Sequence, residues 1–136
     1  MNTLPLLRIY LRQIMLLTSL LVVTPIQAEN WVMVASFEDE GDARTLLVDT
    51  DSIRTVDGRL NFILAEYADI GVLISEEERA LDCANRMFYY LSYRFDESVE
   101  FQQRPEWQRQ EASPAGEAGA STLDAIIADY ICAYKN

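Results

Sequence analysis

The sequence predicts an α+β domain: an antiparallel sheet of about five or six strands, one C-terminal helix packed on it, and a single disulfide. Three observations predict it. Runs rich in Val, Ile, Thr, Tyr and Phe are punctuated by Asp- and Gly-bearing turns from Trp31 onward. One amphipathic helical stripe lies at the end of the chain, after Ser121. Cys83 and Cys132 are the only two cysteines.

Residues 1–28 precede the domain and read as a signal peptide. Arg8 and Arg12, with no acid beside them, come before an apolar run from Ile14 to Val23, and the segment closes with Pro25 and Ala28. Cleavage is expected after Ala28, leaving residues 29–136 as one domain exported to the periplasm or beyond. An uncleaved anchor is the competing reading, but spanning a bilayer takes roughly 20 continuous apolar residues and Arg12 interrupts the run too early. No cysteine stands just after the apolar run, which excludes a lipid anchor by the lipoprotein route.

Loss of the leader leaves 22 acids against 9 bases, 11 minus Arg8 and Arg12, so the expected mature net charge is about −13. Such a surface disfavours nucleic acid and anionic lipid as partners. The chain has no histidine. Ser-His-Asp and Cys-His nucleophiles and imidazole-bound zinc are therefore excluded, and no cofactor site is apparent. In an oxidising compartment two thiols most simply pair, so Cys83 and Cys132 are expected to form a disulfide.

The first strand is expected over Trp31–Phe37, with Trp31, Met33, Ala35 and Phe37 on one face. Glu38 to Asp42 makes a turn. A second strand, Thr45–Val48, is expected to close in the Asx-type turn Asp49-Thr50-Asp51-Ser52. Asp57-Gly58, flanked by β-forming runs, predicts a hairpin leading into a strand over 59–67. Asp69 to Glu78, with its acidic end Ser75-Glu76-Glu77-Glu78, reads as a long connection. From Arg79 to Asp96 the density of Tyr and Phe favours a strand pair, or one long bent strand, over a helix. Ser98–Gln103 reads as an edge strand and Gln108 to Ala120 as an exposed polar loop.

Ser121 is the expected N-cap of the helix, with Asp124 completing a capping-box-like start. Leu123, Ile126, Ile127, Tyr130, Ile131 and Tyr134 form the apolar stripe. Cys132 falls on the opposite side of that ideal helix, so the reading favours unwinding of the last turn before it.

The order of these pieces resembles the surface-adhesin protein E-like family. The carriers are the strand opened by Trp31, Asp49-Thr50-Asp51-Ser52-Ile53 before a hairpin, Leu81-Asp82-Cys83 leading into an aromatic strand, and Trp107 ahead of a Ser-initiated helix ending at Cys132. The resemblance implies a sheet flanked by a helix tied down by the Cys83–Cys132 bridge. It also implies function by protein contact, as in a lipid-anchored outer-membrane member that binds host matrix proteins and dimerises. This chain departs from that member in lacking the lipid-attachment cysteine.

The expected function is accordingly that of a non-catalytic protein-binding module, whose partner is itself or a host or envelope protein. Tyr67, Phe88, Tyr90, Tyr93, Phe101 and Trp107 are its candidate contacts, because aromatics concentrate in interface centres. Two alternatives use carboxylates. Asp49, Asp51, Glu66 and Asp82 lie near predicted strand ends and are the candidates for acid chemistry without histidine. Glu38-Asp39-Glu40-Gly41-Asp42 or Asp49-Thr50-Asp51 would supply hard oxygen ligands to calcium, although neither has the twelve-residue loop spacing.

Overall fold

The computed structural model describes residues 30–68, 71–115 and 122–134. The leader and the Ser121 cap lie outside the described residues. Five strands, β1 (Trp31–Asp39), β2 (Asp42–Val56), β3 (Arg59–Ala68), β4 (Leu73–Asp82) and β5 (Met87–Arg94), run up and down in antiparallel order. Two short strands, β6 (Gln102–Gln103) and β7 (Ser113–Pro114), both pair with the outer edge of β5, and helix α1 (Glu106–Gln110) lies between them. Helix α2 (Thr122–Tyr134) ends the described chain. The expected α+β class is the observed one.

The first two hairpins turn on residue pairs with positive φ, Glu40-Gly41 at 52° and 89° and Asp57-Gly58 at 49° and 79°. Two left-handed residues in succession match the right-handed twist of the flanking strands, and glycine takes the second place without a Cβ penalty. The Asp57-Gly58 hairpin is where the sequence put it.

Asp49-Thr50-Asp51-Ser52 is not a turn. Strand β2 runs through it for 15 residues, and the register with β3 is irregular only between Asp49 and Arg54. The Asx chemistry is present but is absorbed as a bulge. The Asp51 N–H donates to Asp49 Oδ1 at 3.1 Å, and Ser52 Oγ donates to the Asp49 carbonyl at 2.6 Å while accepting the Ile63 N–H at 2.8 Å. Ser52 thus patches the interrupted ladder.

The segment 69–78 is not a long connection either. Leu73 to Asp82 forms β4, a central strand paired with both β3 and β5. Cys83 to Arg86 then turns the chain, so the aromatic region resolves into the strand-pair alternative. Asp82 fastens that turn by accepting from the Asn85 N–H at 3.1 Å and from its side-chain amide at 2.7 Å. The expected edge strand shrinks to β6, and the expected polar loop contains β7 and the end of α1.

A register shift between Met33 and Ala35 overturns the expected face of β1. Val34, Ala35 and Phe37 pack against the core, while Met33 is exposed. The core lies on the sheet face covered by α2, where Leu46, Val48, Leu60, Phe62, Leu64, Leu81 and Phe88 meet Ile127, Ala128 and Ile131. Fully burying each large apolar side chain contributes about 1.5–3 kcal/mol. Phe62 and Phe88 meet edge to face at 6.3 Å.

Helix α2 does not unwind before Cys132. It remains helical to Tyr134 and is rotated from the expected stripe, with Ile127, Ala128 and Ile131 buried and Ile126 and Tyr134 exposed. Ala128 and Cys132 are four residues apart and so share one ridge. The rotation brings Cys132 to the sheet, where it bonds Cys83 with the Cα atoms 5.8 Å apart. Arg86 adds a second tie, from Nη1 to Asp129 Oδ1 at 2.8 Å and from Nε to the Ala115 carbonyl at 3.0 Å.

Candidate functional site

The consecutive acids of β4 organise the polar half of the molecule. Side chains alternate across a strand, so Glu76 and Glu78 point to the face away from α2 and Glu77 points to the α2 side. Glu76 pairs with Arg94, Glu78 with Arg54 at 2.9 Å, and Glu77 with both Arg79 at 2.5 Å and Arg104 at 3.0 Å. Glu78 also accepts the Ser92 hydroxyl at 3.0 Å. Three carboxylates therefore hold four arginines, and the acids that look like a solvated connection are satisfied inside a sheet.

On the α2 side, the cross-strand row Val48–Leu64–Glu77–Tyr93 changes from apolar to charged as it passes from β3 to β4. The next row, Phe62–Arg79–Tyr90, changes likewise. Beside this polar end a cleft of about 250 Å³ is lined by Glu77, Tyr90, Arg104, Gln108, Glu111 and Ser113. Arg79 reaches Asp124 of α2 at 3.4 Å and lies 4.7 Å from the Tyr90 ring centroid; Arg104 lies 4.9 Å from that of Tyr93. Burial raises the Tyr90 phenol above its ordinary value of 10.0, with the Arg79 charge opposing. The phenol therefore stays protonated at neutral pH.

At the end of the sheet carrying the β1–β2, β3–β4 and β5–β6 connections, a second depression of about 340 Å³ is lined by Tyr67, Val72, Leu73, Phe95, Asp96 and Glu97, with Gly71 beneath. Phe95 is 66% exposed and Val72 53%, and Val99 on the same loop is 45% exposed. Arg94 holds this loop from within. Besides Glu76, its Nη1 donates to the carbonyls of Glu97 at 3.2 Å and Val99 at 3.4 Å, and its guanidinium lies 4.6 Å from the Phe101 ring centroid. Tyr67 ties the loop to β3 by donating to Glu97 Oε1 at 2.9 Å. Asp96 accepts the Ser98 N–H at 2.8 Å, and its bonds from Ser98 hold its carboxyl below the usual 3.8.

The aromatic candidates separate into different roles. Phe88 is core and is corrected from contact to packing. Tyr90 and Tyr93 stand beside the polar cleft, Tyr67 beside the second depression, and Phe101 beneath Arg94. Trp107 is 65% exposed on α1. Phe95, Val72 and Val99 were missed. The signal at Phe95 and Val99 is a large apolar side chain among acids in a connection, whereas Val72 sits in the apolar run 70–74, and sequence cannot separate either from core until the loop is built.

The carboxylate candidates do not converge. Asp49 pairs with Ile63 and Glu66 with Leu46, which sets them three rungs apart and on opposite faces. Asp82 caps a turn at the far end and Asp51 is exposed in the β2 bulge. Among the described residues no group of three His, Cys, Asp or Glu side chains is arranged to hold a metal ion. No family model, curated protein or solved structure matches this chain.

Proposed function

We propose that the chain is an exported, non-catalytic protein-binding module of the surface-adhesin protein E-like kind, and that it meets its partner at the Phe95–Val72 depression. One observation carries the reading. Phe95 is held out to water on the β5–β6 loop that Arg94 clamps from inside, and Val72 beside it on the β3–β4 connection, whose carbonyl accepts the Ala68 N–H at 2.9 Å, so a large apolar contact is presented in a fixed position. Such an anchor binds at lower ordering cost than a mobile one. Asp96, Glu97 and Glu100 on the same loop, with Glu38, Glu40 and Asp42 at the same end, favour a basic partner segment by charge complementarity. The Cys83–Cys132 bridge agrees with export, because disulfides persist in oxidising compartments.

The test uses cells producing the full chain with a photo-crosslinking amino acid at position 95. Export predicts a shortened protein, released with the periplasm or reached by protease on intact cells, that changes mobility on reduction. Partner contact predicts a discrete crosslinked protein adduct that Val72→Asp abolishes. An unshortened chain in the inner membrane overturns export. An exported chain giving no adduct at 95, or one indifferent to Val72→Asp, overturns the contact.

A further inference from the structure

We propose that the cleft of Glu77, Tyr90, Arg104, Gln108, Glu111 and Ser113 binds a neutral, hydroxyl-rich ligand of the class of a single sugar ring. This site is separate from the Phe95–Val72 depression and does not rest on it. Four polar side chains meet at the cleft with nothing to do there. The Tyr90 hydroxyl, Gln108 amide, Ser113 hydroxyl and Glu111 carboxylate have no protein hydrogen-bond partner among the described residues. Among the described residues only Arg44 Nε and Arg104 Nε are buried without a partner, so the Tyr90, Gln108 and Ser113 tips reach solvent, and Glu111 is exposed. Convergent, unengaged polar groups in a concave site are what fix a small ligand.

The charges choose the ligand class. Arg79 and Arg104 are neutralised by Glu77 and Asp124, and Arg109 turns its Nε to the Arg104 carbonyl at 3.0 Å. An anion would meet Glu77 and Glu111; a cation would meet Arg79 and Arg104. A hydroxyl group donates and accepts at once, which matches a lining that mixes a phenol, an amide, a hydroxyl and a carboxylate. Trp107, next to Gln108 on the same helical turn and outside the lining, is exposed and serves as a nearby fluorescent reporter. At about 250 Å³ the cleft lies below the roughly 300–1,000 Å³ of drug-sized sites, which suits one ring and not a chain.

The test titrates the exported protein, purified oxidised, with glucose, galactose, mannose and N-acetylglucosamine, read by amide NMR shifts and tryptophan fluorescence. Acetate, ethylamine and N-acetylalanine methylamide serve as the anionic, cationic and peptide probes. At least one sugar is expected to shift the amides of Arg104, Gln108 and Ser113 saturably. Gln108→Ala/Ser113→Ala should weaken it roughly tenfold or more, as two lost neutral hydrogen bonds imply. Tyr90→Phe, which keeps the ring, should weaken it severalfold with an unchanged melting temperature. Phe95→Ser should leave it intact. No sugar response, a response confined to the charged or peptide probes, or a sugar response that survives Gln108→Ala/Ser113→Ala overturns the proposal.

Discussion

Arg94→Ala should be among the most damaging single changes outside the apolar core, and the structure says why. Glu76 is 1% exposed in the middle of a sheet, and its carboxylate is paired with Arg94, which is 17% exposed. The cross-strand neighbour of Glu76 on β3 is Ala65, whose methyl offers no polar replacement. Truncation leaves a buried carboxylate without its partner, a change that costs about 3–5 kcal/mol. Glu76→Gln leaves Arg94 with the Glu97 and Val99 carbonyls and removes no volume, so its cost should be nearer 1–2 kcal/mol.

Urea unfolding of the oxidised proteins measures both, with the midpoint shifting at constant slope. At about 4–8 °C per kcal/mol for a domain near this size, Arg94→Ala should lower the melting temperature by roughly 12 °C or more. Hydrogen exchange should also accelerate over residues 95–101, because the same truncation frees the loop. An Arg94→Ala protein within about 1 kcal/mol of wild type, or a Glu76→Gln cost equal to that of Arg94→Ala, would refute the argument.

Cys132→Ser should cost about 4 kcal/mol, the chain-entropy value for the 49-residue separation from Cys83, measured against the oxidised parent. Gly58→Ala should cost about 1 kcal/mol, because φ is 79° and no atom lies within 4 Å of the new Cβ, so only backbone strain acts. Asp82 is held below 3.8, first by the Asn85 side-chain amide and then by the Asn85 N–H. A depressed folded pKa contributes stability that is present above the unfolded value near 3.9 and is lost as pH falls through the lower folded one. Asn85→Ala should therefore move the Asp82 carboxyl titration upward in an NMR pH series. Phe95→Ser should change stability by less than about 0.5 kcal/mol, since the side chain is mostly in water, while abolishing partner adducts from a photo-crosslinking amino acid placed instead at position 99.

What was legible in the sequence is what local chemistry decides. Asp57-Gly58 must turn where φ is positive twice, and a Val- and Ile-rich run beside it must extend. Two cysteines and no others suffice to predict the bridge that forms. What failed was the inference that treated the acidic run 75–78 as part of a solvent-facing connection. Glu76, Glu77 and Glu78 lie in a central strand because Arg94, Arg79, Arg104 and Arg54 arrive from 18, 2, 27 and 24 residues away, and no local window contains most of them. The helix face failed for a related reason. Hydrophobic periodicity placed Ile126 and Tyr134 inward, but the covalent demand of Cys132 and the fit of Ala128 against the sheet turned the helix past them, while Tyr130 still packs against the core.

The alternation of β4 links the two candidate surfaces. Glu76, on one face, fixes Arg94 and with it the loop that presents Phe95; Glu77, on the other, fixes Arg104 and with it one wall of the polar cleft. A strand that slips by one residue exchanges its faces, so a slip of β4 would unmake both at once. The register is therefore held from several sides, by pairing with β3 and β5 and by the Asp82–Asn85 turn. The same arrangement explains the acidity of the rim. Arg79, Arg94 and Arg104 are turned inward to β4, and Arg44 is largely buried beside Asp39. With these cations withdrawn from the surface, the loops at the Phe95 end carry more negative charge than the composition alone requires. On the proposed reading, charge complementarity favours a partner segment that brings its own positive charge.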